Sequence, residues 1–206
     1  TITSTITVSV NDGSSDDNFD SVSDQTVSVT TTDDDVAGFT IAETGGSTSV
    51  AESGTTDTFT VILDAQPSSD VVLSISSADA GEATVTSSLT FTSANWDTPQ
   101  TVTVTGADDD LIDGTITSTI TVSVNDGSSD DNFDSVSDQT ISVATTDDDV
   151  AGFTIALTGG STSVDESGTT DTFTVVLDAQ PSSDVVLTIT SADTGEATVT
   201  STLTFT

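Results

Sequence analysis

The sequence predicts an all-β protein made of tandem β-sandwich domains, and three observations carry that prediction. Apolar residues recur at every second position over short stretches, as in Phe59, Val61 and Leu63, or Ile120, Val122 and Val124, and no stretch shows a helical period. Gly, Pro, Asp and Ser cluster between those stretches, where turns are needed. The chain also repeats itself: residues 1–92 match residues 115–206 with nine differences, most of them Val/Ile or Ser/Thr exchanges that keep β propensity. A period of 114 residues is the size of a folding domain and far exceeds a solenoid unit.

Taking the triple Asp as the close of each period divides the chain into three. Residues 1–35 are the C-terminal strands of one repeat, 36–149 a complete repeat, and 150–206 the N-terminal part of the next. In the complete repeat, Gly38–Ala42 and Ser47–Val50 read as one strand broken at Gly45-Gly46. Thr56–Leu63 directs Phe59, Val61 and Leu63 to one face, a turn containing Pro67 follows, and Asp70–Ser76 is the next strand through Val71, Leu73 and Ile75. Ala83–Thr92 supplies two short strands, and Gln100–Gly106 alternates Val102 and Val104 with threonines. Thr115–Val124 and Gln139–Thr146 complete the set. Seven or so short strands in this span predict an immunoglobulin-like sandwich without the cysteine pair of antibody domains. The counterpart of Ser93–Gly114 is missing from the second copy. The chain is therefore expected to be a window on a continuous thread, or a subunit completed by the tail strands of the next copy in a head-to-tail fibre.

Charge narrows the function. The chain has 35 acidic residues and no Lys, Arg or His, for a formal charge of -35. Nucleic acids, anionic membrane surfaces and phosphate-bearing substrates all require basic residues, so they are excluded as partners. Asp33, Asp34 and Asp35, and again Asp147, Asp148 and Asp149, stand three in a row, and no basic side chain exists to pair with them. They must be solvated or neutralised by a cation. With no His, Cys, Lys, Arg or Tyr, only carboxylates remain for acid–base chemistry, and an enzyme is not expected. No apolar run reaches the roughly 18 residues of a membrane span, and the first residues do not resemble a signal peptide, so any targeting signal lies outside this segment. Thr and Ser on outward-facing positions suit exposed sheets and O-linked sugars, while no N-glycosylation sequon is present.

The ordered motifs Asp33–Phe39, Ser49–Gly54, Leu89–Phe91, Asn95–Val104 and Asp108–Asp110 together resemble a Calx-beta repeat, of the kind strung in long runs through giant bacterial cell-surface adhesins. The resemblance spans the whole period. It implies a β-sandwich that holds Ca2+ where loops converge at the end from which the chain exits. Carried onto this sequence, it implies ligands at Glu52, Asp108, Asp109, Asp147, Asp148 and Asp149, with Asp79, Asp110 and Asp113 as further members. The neighbouring copies supply Asp33, Asp34 and Asp35, and Glu166 beside Asp165. Strand alternation leads independently to the same end of the sandwich. The loops holding Glu52, Asp79 with Glu82, and Asp108–Asp113 share it with the departing Asp147–Asp149. Carboxylates in such number suit Ca2+ better than Mg2+. A lone run such as Asp108–Asp110 reads more readily as a solvated turn, and convergence is what favours metal.

The loop Asn125–Asp134 lacks the spacing of an EF-hand and is expected either to reach the preceding hinge at Asp33–Asp35 or to be a plain solvated hairpin. Trp96, beside Pro99, is expected to cap the core. The function expected is that of a structural segment of an extracellular filament or adhesin stalk at the cell surface, rigidified by Ca2+ at its junctions. Its partners would be neighbouring copies of the same repeat. The alternative is a Ca2+-dependent adhesive module for surface glycans.

Overall fold

A computed structural model describes the whole chain, Thr1 to Thr206. It comprises two compact units, Thr1–Val36 and Ala37–Thr206. The first is an antiparallel hairpin of β1 (Ile2–Val8) and β2 (Gln25–Thr31), linked through two 3-10 turns. The second contains a β-sandwich built from β3 (Phe39–Glu43), β4 (Thr48–Ala51), β5 (Thr56–Leu63), β6 (Val71–Ser77), β7 (Ala83–Val85), β8 (Ser88–Phe91), β9 (Gln100–Gly106), β10 (Ile116–Val124) and β11 (Gln139–Thr146). It continues into β12 (Phe153–Leu157), β13 (Phe173–Leu177), β14 (Val185–Thr188) and β15 (Thr202–Phe205). No helix is long and apolar enough to cross a membrane.

The sandwich faces a four-stranded sheet, ordered β3-β5-β9-β7, against a five-stranded sheet, ordered β4-β11-β10-β6-β8. Every pairing is antiparallel except β4 with β11. That exception comes from a strand that changes sheets. β3 pairs with β5, the chain kinks at Gly45 and Gly46, and β4 pairs with β11 in the opposite sheet. Both glycines hold left-handed φ angles of 75° and 85°, which a side chain would strain.

Period-two patterning fills the space between the sheets. Phe59, Val61 and Leu63 of β5, Val102 and Val104 of β9, Leu73 of β6, Phe91 of β8 and Val122 of β10 are all buried in one cluster. The intervening positions, mostly Thr and Ser with Ile62 and Val72 among them, are partly or fully exposed, so each strand is more apolar on its inner face, as antiparallel sheets permit. Trp96 packs against the edge of this core, as its sequence context predicts.

Asn125–Asp134 departs from one sequence expectation. It is not a plain solvated hairpin, because it plugs the end of its own sandwich. Phe133 is buried in the core, and Asp130 is buried beside it. The Asp130 carboxylate accepts from the Ser68 N–H at 2.6 Å, the Ser68 hydroxyl at 2.7 Å and the Ser69 N–H at 3.0 Å. It also accepts from the backbone and side chain of Asn132. These donors, led by Ser68, hold its pKa far below the ordinary carboxylate range despite burial. Asp130→Asn should cost about 2 kcal/mol, since hydrogen bonds to a charged group contribute roughly 1.5–3 kcal/mol. A depressed folded-state pKa stabilises fully above the unfolded value, near 4, and that contribution fades as pH falls toward the folded value. Urea unfolding at pH 7 and pH 3 should therefore separate wild type from Asp130→Asn widely at the first pH and less at the second. An equal gap at both would exclude this role.

The partial repeats reproduce the local pairings of the complete one. β1 pairs with β2 in the register of β10 with β11, Ile2 opposite Thr31 as Ile116 is opposite Thr145. Phe153 lies opposite Leu177 as Phe39 lies opposite Leu63, and Val185 opposite Phe205 as Val71 opposite Phe91.

Candidate metal centre

The acidic residues of the complete repeat meet at its exit end because four connections terminate there. β4 ends at Ala51, and the Glu52 N–H donates to the Thr146 carbonyl of β11 at 3.1 Å. The β6–β7 connection is stapled in place by its Glu82 carbonyl, which accepts from the Ala107 N–H at 2.8 Å and from the Thr145 hydroxyl at 3.4 Å. The loop leaving β9 carries Asp108–Asp113, and the chain departs from β11 through Asp147–Asp149.

Asp147 ties the last two together. Its carboxylate accepts from the Asp113 N–H at 3.1 Å, the Gly114 N–H at 2.8 Å and the Asp149 N–H at 2.8 Å. Those bonds, Gly114 first, lower its pKa and keep it ionised. Asp147 therefore serves as a strut between loop and exit strand and places a fixed negative charge beside Glu52.

Two triads of carboxylates result, and both include Glu52. Oxygens of Glu52, Glu82 and Asp113 lie within 4.8 Å of one another, and so do oxygens of Glu52, Asp109 and Asp149. Ligands on opposite sides of one calcium ion, each at about 2.4 Å, stand about 4.8 Å apart, so each triad fits a single ion. Glu52 is only 1% exposed and Glu82 6% exposed. Neither oxygen of Glu52 has a hydrogen-bond partner, nor does Oε2 of Glu82 or Oδ2 of Asp149. Buried, unpaired carboxylate oxygens cost several kcal/mol unless something positive meets them, and the chain has no basic side chain to do so. A hard divalent cation matches these donors in type and spacing.

Electrostatics agree with that fit. Burial raises the Glu52 pKa from 4.5 to about 7, with further upward pushes from Asp147, Glu82, Asp109 and Asp113. Glu82 is raised by burial and then by Asp113, Asp79, Asp109 and Asp147. Asp149 is raised by burial and then by Asp147, Asp110, Asp148 and Asp108. A raised folded-state pKa stabilises below the unfolded value and ceases to do so as pH climbs through the folded one. Cation-free protein should thus lose stability between pH 4.5 and about 7 through Glu52, a loss that Glu52→Gln removes. Melting in chelator across that window checks this, and a flat profile for wild type would contradict it.

The structure distributes the remaining sequence candidates as follows. Asp108, Asp110 and Asp148 are exposed and outside both triads. Asp79 is exposed, and its carboxylate caps the Gly81 N–H at 3.0 Å, while Glu82, three residues on, enters the triad. Sequence reading set Glu82 beside Asp79 and favoured the latter. A Gly-Glu-Ala step directly ahead of an inward-facing strand was the signal that Glu82 points inward. Asp33 accepts from the Asp35 N–H at 3.2 Å, and Asp33, Asp34 and Asp35 are exposed. In the following partial repeat Glu166 is exposed, and the Asp165 carboxylate accepts from the Ser167 N–H at 2.8 Å while the Asp165 N–H donates to the Thr169 hydroxyl oxygen at 2.8 Å.

No family model matches the chain, and no curated protein matches it. Its structural neighbours include S-layer and Calx-beta domains. The S-layer protein SbsC, domains 4 and 5, is 23% identical, with a TM-score of 0.38 over 61% of this chain and 54% of that one. The apo-form Calx CBD1 domain is 16% identical, with a TM-score of 0.38 over 54% of this chain and 98% of that one. CBD12 from CALX1.2 is 20% identical, with a TM-score of 0.38 over 57% of this chain and 48% of that one. This chain thus spans about half the length of the SbsC structure.

Proposed function

We propose that this chain is a segment of an extracellular filament or stalk at the cell surface, built from repeats bounded as 1–35, 36–149 and 150–206, in which Ca2+ bound at the exit end of each complete repeat stiffens the junction to the next. One observation carries the reading: Glu52 and Glu82 are buried with unpartnered carboxylate oxygens, in a chain without a single basic side chain. The ligands span the β4–β5, β6–β7 and β9–β10 connections and the exit strand, so one bound ion would cross-link segments that otherwise repel. Asp149 is both a triad member and the last residue before the next repeat, which joins ion binding to the junction. Near-identical copies suit length and mechanical continuity, and the absence of His, Cys, Lys, Arg and Tyr weighs against an enzyme.

Calorimetric titration of metal-stripped protein tests this. Saturable binding of Ca2+ in preference to Mg2+ is expected, with Glu52→Gln weakening it by at least ~10-fold because it strips a ligand from both triads. No saturable heat for wild type, or unchanged affinity in Glu52→Gln, would overturn the assignment.

A further inference from the structure

In the complete repeat the acidic residues gather in the connections and leave the sides of the sandwich neutral. Between residues 36 and 149 only Glu43 and Asp57 lie within strands, and both are paired with buried residues of the inner face, Phe59 and Val104. The five strands of the sheet β4-β11-β10-β6-β8 hold no charged residue at all. Its outward positions are mostly Ser and Thr, and Thr117, Thr119, Thr140, Ser142, Ser76 and Thr90 are exposed there. Carboxylates return only at the rims, with Asp70 and Asp138 ahead of β6 and β11 and Asp147–Asp149 beyond β11. The copies keep this composition. Four of their differences fall on the face and stay small and uncharged: Thr30/Ala144, Ser74/Thr188, Ser76/Thr190 and Ser88/Thr202. The one charged exchange in these strands, Asp165 for Ala51, lies at the exit-end corner, beside the acidic loops.

The sheet is capped at both edges. At β4 the Ser49 N–H donates to the Asp57 carboxylate at 2.9 Å, and at β8 the Thr90 carbonyl accepts from the Gln100 side-chain amide at 2.8 Å. Both edge strands are also only four residues long, so strand addition has little to build on. Contact with another molecule falls to the face. We propose that this face docks onto the same face of a second copy of the chain, packing copies side by side. Charge selects that occupant. A chain of formal charge -35 repels its own copies wherever carboxylates point outward, and this neutral wall is a place where two can meet without opposing them. Hydroxyls both donate and accept, so a Ser/Thr face is complementary to itself. Five strands about 4.8 Å apart and about six residues long cover roughly 24 by 20 Å, or ~1,000 Å2 over both partners, the size of a weak contact. Its sequence recurs every 114 residues, so weak contacts add along a thread. The face contains no metal ligand, and the proposal stands apart from the calcium reading.

The central strand of the five, β10, supplies the probe. Thr119 is exposed near its middle, and in a two-fold pairing of faces the two copies of that residue lie close together. The chain has no cysteine, so Thr119→Cys gives a single thiol, and Ser135→Cys, exposed in the β10–β11 connection, is its control. Under mild oxidation of the full chain, Thr119→Cys should cross-link between copies at least ~10-fold faster than Ser135→Cys, and faster still in ~0.5 M NaCl, which screens the acidic rims. Adding Ser142→Glu and Ser88→Glu to Thr119→Cys should remove that advantage, because like charges would then oppose across the pair. Both positions are exposed, and a melting curve checks that the fold is kept. Should the double substitution fail to fold, the two single-cysteine chains still decide. The preference is expected with Ca2+ and with chelator. Equal rates for the two cysteines, or an advantage that survives the added glutamates, would overturn the pairing. So would a preference confined to Ca2+, which would assign the contact to bridged carboxylates. Cosedimentation with microcrystalline cellulose in place of cross-linking would make a neutral glycan the occupant and overturn it too.

Discussion

Stripping Ca2+ from the chain is expected to lower its melting temperature by ~10 °C or more. A site held at a hundredfold excess of ion over its dissociation constant adds ~2.7 kcal/mol. Each kcal/mol moves the midpoint of a domain of about a hundred residues by roughly 4–8 °C. The direct gain is compounded by what the ion relieves, because Glu52, Glu82 and Asp149 each have a pKa raised by burial and by their acidic neighbours. Glu52→Gln separates the two contributions. It should raise the stability of cation-free protein at pH 8, where the wild-type carboxylate is ionised without a partner, and it should abolish most of the shift on adding Ca2+. Scanning calorimetry of both proteins, with millimolar Ca2+ or with chelator, makes the comparison. Superimposable wild-type curves, or a full Ca2+ shift in Glu52→Gln, would be incompatible with the proposed centre.

Gly106→Ala is expected to destabilise the sandwich by about 3 kcal/mol or more and to weaken the metal centre with it. A Cβ at this position would stand 1.9 Å from the Ala51 carbonyl oxygen, 2.6 Å from its carbon and 3.3 Å from the Glu52 nitrogen. All three are backbone atoms at the end of β4, so the clash cannot be relieved by rotating a side chain. Either β9 or β4 must move. Overpacking in a well-filled interior costs roughly 1–3 kcal/mol even where side chains can yield. Here the displaced segment also positions the carboxylate that both triads share. Gly127→Ala is the matched control, since its Cβ would meet nothing nearer than 3.9 Å. Urea unfolding should show a large loss for the first and little for the second, and similar values for the two would show that this close approach is not a constraint.

Strand positions were legible in the sequence because alternation along a strand is a local property. Thr56–Leu63 and Gln100–Gly106 match the observed β5 and β9 at both ends, and the break at Gly45-Gly46 is where β3 gives way to β4. The convergence of acidic loops at one end also followed from counting strands. Which carboxylates turn inward did not follow. Asp108, Asp110 and Asp148 belong to the same acidic runs as Asp109 and Asp149 and yet face solvent, because side-chain direction in a loop depends on backbone torsions that no period encodes. Asp130 was likewise hidden, since its donors at Ser68 and Ser69 lie about sixty residues away in the chain.

The repetition offers an internal control on this division. By itself the sequence determined the hairpin: β1–β2 and β10–β11 share one register because turn chemistry and alternation act between near neighbours. Burial was decided only by tertiary structure. Ile6 is 52% exposed where its counterpart Ile120 is 0% exposed, and Glu166 is exposed where Glu52 is sealed. The residues are the same, and what differs is whether β6 and the opposing sheet are there to exclude water. Desolvation is a property of surrounding atoms rather than of the segment they surround, so a carboxylate loses its water only once the rest of the sandwich has closed over it.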